Sequence, residues 1–334
     1  MGFFGKLFGG KGSSSTAKQV TQPPVRNNTS SDSAPDNEGT KNAFYGQHFE
    51  GLGDVWNAFF PGGSQAFVGQ VQELFPKCTP FGPVMQLQDG MNVILFKSPE
   101  ENGIGIHCHI LMKQGTGEAE FAGGYPSLTG RPSQFVIEQA HIWSNNLAGV
   151  VAARALSNGA PLNFYLSGFF QHVPQMKFGS QVEFRLSALA LSMEKQGNTD
   201  FSPEEGTPAY DAVLRAFLTA NPDKSVADFV PPVVSSHGHG VLLPSQVVSA
   251  WIYQVPVLAI EKVEFMGHSF RRIETLLAGV GESAVPGVLY VAEHVLKGYE
   301  PQVGDDVTGT LWLQGQMDVD LSLIAGQGEA PSAQ

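Results

Sequence analysis

Two stretches of this sequence align with each other without a gap, and this internal similarity limits the architecture more than any other feature. Residues 161–191 placed over residues 286–316 pair the following side chains: Pro161 with Pro286, Tyr165 with Tyr290, Gly179 with Gly304, Val182 with Val307, and Leu186 with Leu311. Further upstream, Ile137-Glu138 aligns with Ile260-Glu261 if two residues are inserted between this match and the aligned stretches. Two unrelated antiparallel segments could also share a proline and a glycine at their turns, so chance similarity is the alternative to a duplication.

Both copies show the same order of features: two strand-like runs, a segment rich in aromatic residues, a glycine turn and a final alternating strand. Charged residues make up only 15% of the chain, whereas Gly (39) and Pro (22) are frequent, which favours short strands joined by many turns. Short strands hide their edges best in small closed or half-closed barrels. The sequence therefore predicts a mainly β (α+β) protein with two similar small antiparallel β modules, barrel- or sandwich-like, and a few short helices.

Two segments have helical spacing. Residues 67–75 form one of them, which ends at Pro76, and residues 207–219 form the other, with Thr207-Pro208 as its cap and first turn. Strand-like runs flank Asp89-Gly90, which is a strong hairpin signal. We predict a first module over residues 44–196, a second module over residues 205–324 and a flexible tail over residues 325–334.

The N-terminal segment, residues 1–43, has a different composition. Residues 11–42 are rich in Gly, Ser, Thr, Asn, Pro and Gln, and such a segment buries too little apolar surface to offset its ordering entropy. Through residue 31 the segment holds four basic residues and no acidic one, whereas the rest of the chain is acidic. We predict that it is disordered.

Phe3, Phe4, Leu7 and Phe8 form an apolar tip at the start of this segment and would share one face of a short helix. Apolar side chains at the end of a tether bind a groove on a protein partner or, more weakly, a membrane surface. We predict that the tip is a docking or tethering segment. The alternative is an inert leader, because glycines at positions 2, 5, 9 and 10 weaken any helix.

The chain has two cysteines, Cys78 and Cys108, and no secretory signal or apolar run of the length that a membrane span needs. These features predict a soluble cytoplasmic protein with free thiols. The net charge of −12 repels phosphate backbones, which makes a nucleic-acid-binding β-barrel the least favoured function. Self-association or a protein partner suits the composition better.

Two His-x-His pairs are the candidate metal ligands: His107 with His109, and His237 with His239. Alternate residues of a strand share a face, so His107 and His109 would project together, and Cys108 would project to the opposite side. Paired imidazoles can begin a metal site if a third ligand comes from elsewhere. No carboxylate accompanies either pair in the neighbouring sequence, and a structural role for all four histidines is the alternative.

The sequence contains no arrangement of residue types that specifies a catalytic reaction. It favours a non-enzymatic binding or assembly protein that needs no cofactor and docks through its N-terminal tip. A metal-dependent enzyme that uses one of the His-x-His pairs is the second interpretation.

Overall fold

The computed structural model describes residues 44–48, 53–86, 91–116, 118–143, 147–172, 176–245 and 249–317. Strands predominate in these ranges, which confirms the predicted mainly β class with a few short helices. The strands are β1 (Phe44–His48), β2 (Thr79–Gln86), β3 (Met91–Lys97), β4 (Ile104–Lys113), β5 (Ala119–Leu128), β6 (Arg131–Trp143), β7 (Gly149–Ala155), β8 (Pro161–Leu166), β9 (Gln181–Ala190), β10 (Glu194–Lys195), β11 (Asp200–Phe201), β12 (Val234–Ser235), β13 (Val241–Pro244), β14 (Ala250–Pro256), β15 (Ala259–Phe265), β16 (His268–Ala278), β17 (Val285–Ala292) and β18 (Asp306–Gln316).

The α-helices in the described ranges are α1 (Gly53–Phe59), α2 (Gly63–Leu74), α3 (Phe169–His172) and α4 (Pro208–Ala220). Helix α2 buries Phe67, Val71 and Leu74, which recur at the spacing of one helical face. Helix α4 begins as predicted, because the Thr207 side chain accepts a hydrogen bond from the Tyr210 backbone N–H and Pro208 occupies the first turn. None of the described helices is long and apolar enough to cross a membrane.

The larger sheet contains two closed rings of paired strands. Ring 1 runs through β6, β7, β8, β18 and β9, and the β6–β9 pair closes it. Ring 2 runs through β15, β16, β17, β9 and β18. Strand β14 closes it, because β14 pairs with β18 and two residues of the chain join β14 to β15. The antiparallel pair β9–β18 belongs to both rings. Each ring therefore closes only with the last strand of the other copy.

The strand pairings repeat with the same offset that places Pro161 on Pro286. Tyr165 lies opposite Gln314 in the parallel β8–β18 pair, and the matching residue Tyr290 lies opposite Leu189 in the parallel β17–β9 pair. The two predicted modules are thus arranged about an approximate two-fold relation. The module boundaries and a duplication at the level of the gene stay predictions.

The strand upstream of the aligned segments is offset differently from the sequence match. In the first copy, Ala140 pairs with Val151, and Val151 pairs with Phe164. In the second copy, Ile260 pairs with the residue that lies opposite Leu289, and Leu289 is the counterpart of Phe164. The equivalent of Ile260 is therefore Ala140 and not Ile137. The sequence match also did not account for a bulge in the β6–β7 ladder near residue 138.

A second, four-stranded sheet, β2-β3-β4-β5, is a meander. Residues 87–90, with the predicted turn, lie outside the described residues, but β2 and β3 on either side pair antiparallel as predicted. The small sheet is joined to the large one at Gln314, whose side chain accepts from the Leu128 N–H and donates to the Pro126 carbonyl. The buried residues of both sheets and of helices α1 and α2 form one continuous core.

Candidate interaction site

The predicted docking residues Phe3, Phe4, Leu7 and Phe8 lie outside the described residues, as does the predicted disordered tail over residues 1–43. The two predicted histidine pairs lie within the described part. They occupy different regions of the fold, one in the interior of the small sheet and one at the surface of ring 2.

His107 and His109 lie on β4 and share a face, as predicted. The ring of Tyr125 contacts both imidazoles, at centroid distances of 5.3 and 5.5 Å. Cys108 points to the other face, toward helix α2, where the Phe67 ring approaches the backbone at Gly124 beside the thiol. Cys108 is buried and free, and burial raises the pKa of its thiol.

The His107 side chain belongs to a buried polar cluster. Its Nδ1 lies 3.1 Å from the Tyr125 hydroxyl and 3.2 Å from the Ser167 Oγ. The Tyr125 oxygen in turn accepts a 2.7 Å hydrogen bond from the Gly168 N–H, at the turn between β8 and α3. His172 and Gln171 of α3 lie at the same turn and are also buried. The sequence did not indicate these partners, because they come from elements far apart along the chain.

Burial keeps the imidazoles of this cluster neutral. It lowers the pKa of His107 to about 3, with Lys97 and His109 adding to the effect. Burial lowers the pKa of His109 and of His172 to about 4 in each case. A general base is most effective with a pKa near the working pH. The cluster is therefore suited to internal packing and not to proton transfer at neutral pH.

The described residues contain no group of three or more His, Cys, Asp or Glu side chains placed to hold a metal ion. His107, His109 and His172 each keep one buried ring nitrogen without a hydrogen-bond partner among the described residues. The metal-ligand role of the four histidines stays a prediction, and the arrangement described does not favour it.

His237 has a carboxylate partner that the sequence analysis missed. Its Nδ1 forms a short hydrogen bond to Asp306 Oδ2, and the Gly238 N–H donates to Asp306 Oδ1. The Asp306 side chain is buried at the start of β18, whereas His237 is exposed. His239 turns back within the same loop, where its N–H donates to the Ser236 carbonyl. The hydrogen bonds to Asp306 join this loop to ring 2.

This loop is the base of a projecting segment, residues 196–239, which we call the α4 segment. Strands β11 and β12 pair antiparallel where it leaves the body, and the Ser236 N–H donates to the Thr199 carbonyl there. Within the segment, the Phe229 ring contacts Tyr210 and Phe217 of helix α4, at centroid distances of 5.4 and 5.3 Å. Three of the segment's own aromatic rings therefore hold helix α4 against the stretch that follows it.

No described side chain of the α4 segment is buried. The extended stretch Val230-Pro231-Pro232-Val233 exposes 82% of Val230 and 70% of Val233, and Val226 and Val234 are also exposed. Acidic residues outnumber basic ones in the segment, six to two: Asp200, Glu204, Glu205, Asp211, Asp223 and Asp228 against Arg215 and Lys224. The segment is an apolar and acidic surface with a defined base.

The turn that follows β8 in the first copy differs from the turn that follows its counterpart β17 in the second copy. In the first copy this turn holds α3, which β2 covers, since the Gln171 side chain donates to the Phe81 carbonyl. In the second copy the corresponding turn, Glu293–Val295, lies beside an open cleft of about 460 Å³ that Asn57, Ser192 and Lys297 help to line. The approximate two-fold relation is therefore broken by the small sheet, which covers one turn and leaves the other open.

No protein-family model matches the sequence, and no curated protein or solved structure matches it. The physical properties of the described surfaces are therefore the basis for a functional proposal.

Proposed function

We propose that the protein is a non-enzymatic binding or assembly protein of the cytoplasm. The two fused rings act as a rigid scaffold, the α4 segment is an interaction surface on it, and the N-terminal tip (Phe3, Phe4, Leu7 and Phe8) is a docking or tethering segment. The partner is a protein or a second copy of the chain, with weak membrane contact through the tip as a lesser role.

The observation that supports this proposal is the exposure of the α4 segment. A chain with enough apolar residues to fill a large core leaves four valines of this segment in water. Exposed apolar side chains that are grouped in one segment favour an interaction site. Burial of a valine in an interface contributes up to roughly 1.5–3 kcal/mol before ordering costs, so three or four such contacts suffice for micromolar binding.

Replacement of the tip aromatics tests the proposal. We expect F3S/F4S/F8S to leave the melting temperature of the body unchanged and to remove partner recovery or cellular localisation. A second variant, V226S/V230S/V233S, tests the α4 segment in the same assay. The matched control is V84S/V280S/V303S, which replaces three exposed valines elsewhere on the body.

Two outcomes would count against the proposal. If both test variants recover partners and localise like the wild-type protein, neither surface has a binding role. If F3S/F4S/F8S destabilises the two rings themselves, the tip belongs to the core of the fold and is not a docking segment.

A further inference from the structure

We infer that the N-terminal tip docks onto the α4 segment of its own chain, an inference that rests on the proposed function. The two surfaces have complementary chemistry. The α4 segment presents valines and two prolines, flanked by an excess of acidic residues. The tip presents three phenylalanines and a leucine next to Lys6 and Lys11.

The apolar parts of the two surfaces match in kind. Proline-containing extended segments are recognised by aromatic side chains, because the fixed backbone of proline offers apolar surface at a low entropic cost. Val230-Pro231-Pro232-Val233 is such a segment, and its two valines are among the most exposed large apolar side chains of the described residues. Phe3, Phe4 and Phe8 supply the aromatic rings.

The charges of the two surfaces are opposite. Lys6, Lys11, Lys18 and Arg26 are the charged residues of the chain before residue 32, and no acid accompanies them. The α4 segment has four more acidic than basic residues, by the count of six against two. Long-range attraction therefore favours the encounter, and it weakens as salt shortens the screening length.

The length of the tether favours the same chain over a second copy. Residues 9–43 connect the tip to β1, and if they are disordered, as their composition predicts, a chain of that length has a root-mean-square span of roughly 30–35 Å. The radius of gyration of a body of this size is about 18 Å, so the tip can reach any part of the surface. The effective concentration of a tethered tip approaches the millimolar range, well above micromolar protein in solution. In the resting protein the tip and the α4 segment thus cover each other, and a partner must compete for either one.

Hydrogen–deuterium exchange of the full chain tests this inference. We expect backbone amides of residues 208–235 to exchange about three- to tenfold faster in F3S/F4S/F8S than in the wild-type protein, with the two rings unchanged. V84S/V280S/V303S is the control and should exchange like the wild type in this region. The difference should shrink at about 1 M salt and should be the same at about 1 and 50 µM protein, as a contact within one chain requires.

A second measurement reports from the side of the tip. Trypsin should cleave after Lys6 and Lys11 several-fold faster in V226S/V230S/V233S than in the wild type or the valine control. Equal exchange in the wild type and F3S/F4S/F8S would overturn the inference, as would protection that rises with protein concentration.

The arms of the experiment separate this inference from the proposed function. If F3S/F4S/F8S loses its partner or its location while residues 208–235 exchange as in the wild type, the tip docks elsewhere and only the inference fails. If vesicles containing phosphatidylserine bind the wild type and the exchange is again unchanged, the tip is a membrane anchor and the inference also fails. If F3S/F4S/F8S exchanges faster but keeps its partners and location, the contact within the chain exists and the proposed role of the tip is wrong.

Discussion

His107, His109 and His172 show at the scale of single residues how the interior fixes a charge state. All three imidazoles are buried, and burial penalises their protonated form. The folded protein therefore holds them neutral at a pH where the unfolded chain would begin to protonate them. Above a pH of about 6.5 both states are neutral and the full stability is present; below it the unfolded state binds more protons and stability falls.

We predict that His109→Phe reduces this loss of stability in acid. The phenyl ring keeps the packing against Phe170 and Tyr125 but cannot be protonated. Between pH 6.5 and 4, the free energy of unfolding of the variant should fall by roughly 1–3 kcal/mol less than that of the wild type. Urea denaturation at a series of pH values measures this, with both proteins referred to their own stability at neutral pH. Parallel curves would show that His109 does not titrate on unfolding.

The sequence could predict that His107 and His109 share a face, because alternation along a strand needs only local information. It could not predict Tyr125, Ser167 and His172 as their neighbours, because tertiary packing brings these residues together. Asp306 was missed for the same reason, as it lies 69 positions from His237.

At the scale of elements, local signals succeeded where they agreed with each other. Helix α4 has a capping threonine, a proline in its first turn and a regular apolar spacing, and its start was predicted to the residue. Strand β5 was not predicted, because Gly123, Gly124 and Pro126 interrupt its pattern. Pairing with β4 overcomes that weak propensity, through a ladder with an irregularity beside Gly123.

The Gln314 side chain is one of the polar groups that join the two sheets. Gln314 is fully buried and satisfies both the Leu128 N–H and the Pro126 carbonyl. We predict that Gln314→Leu lowers the free energy of unfolding by roughly 2–4 kcal/mol, because two buried backbone groups lose their partner. Chemical denaturation measures the change, and Gln302→Leu at an exposed position is the control. An equal, small effect of both substitutions would mean that the other contacts between the sheets hold them together without the Gln314 amide.

At the scale of the whole molecule, the repeat was visible in the sequence, but the exchange of last strands was not. The apolar pattern of β9 and β18 is compatible with two arrangements. In one, each strand closes the ring of its own copy; in the other, both strands lie between the two copies. Only the observed pairing of β8 with β18 and of β17 with β9 distinguishes these arrangements. A sequence pattern specifies which face of a strand is buried, and it leaves the neighbouring strand unspecified.

The shared pair predicts how the chain behaves when it is divided. Residues 1–205 and 206–334, cut within the exposed α4 segment, should each fail to fold when produced alone, because each ring lacks a strand. Produced together, they should associate one to one and regain the circular dichroism of the intact protein. Size-exclusion chromatography and denaturation of the mixture provide the measurement. A stable monomer from either fragment alone would contradict the prediction.

The same pair of strands also constrains the ancestry of the fold. If the two halves arose by duplication, the single-copy ancestor had no closed ring of its own. It could complete one only by exchanging its last strand with a second molecule, as in a two-fold dimer. Gene fusion then joined two subunits that were already interdigitated, and it replaced a bimolecular assembly step with folding within one polypeptide. Once joined, the copies were free to diverge, and one of them could acquire the small sheet as a cover while the other kept its turn open.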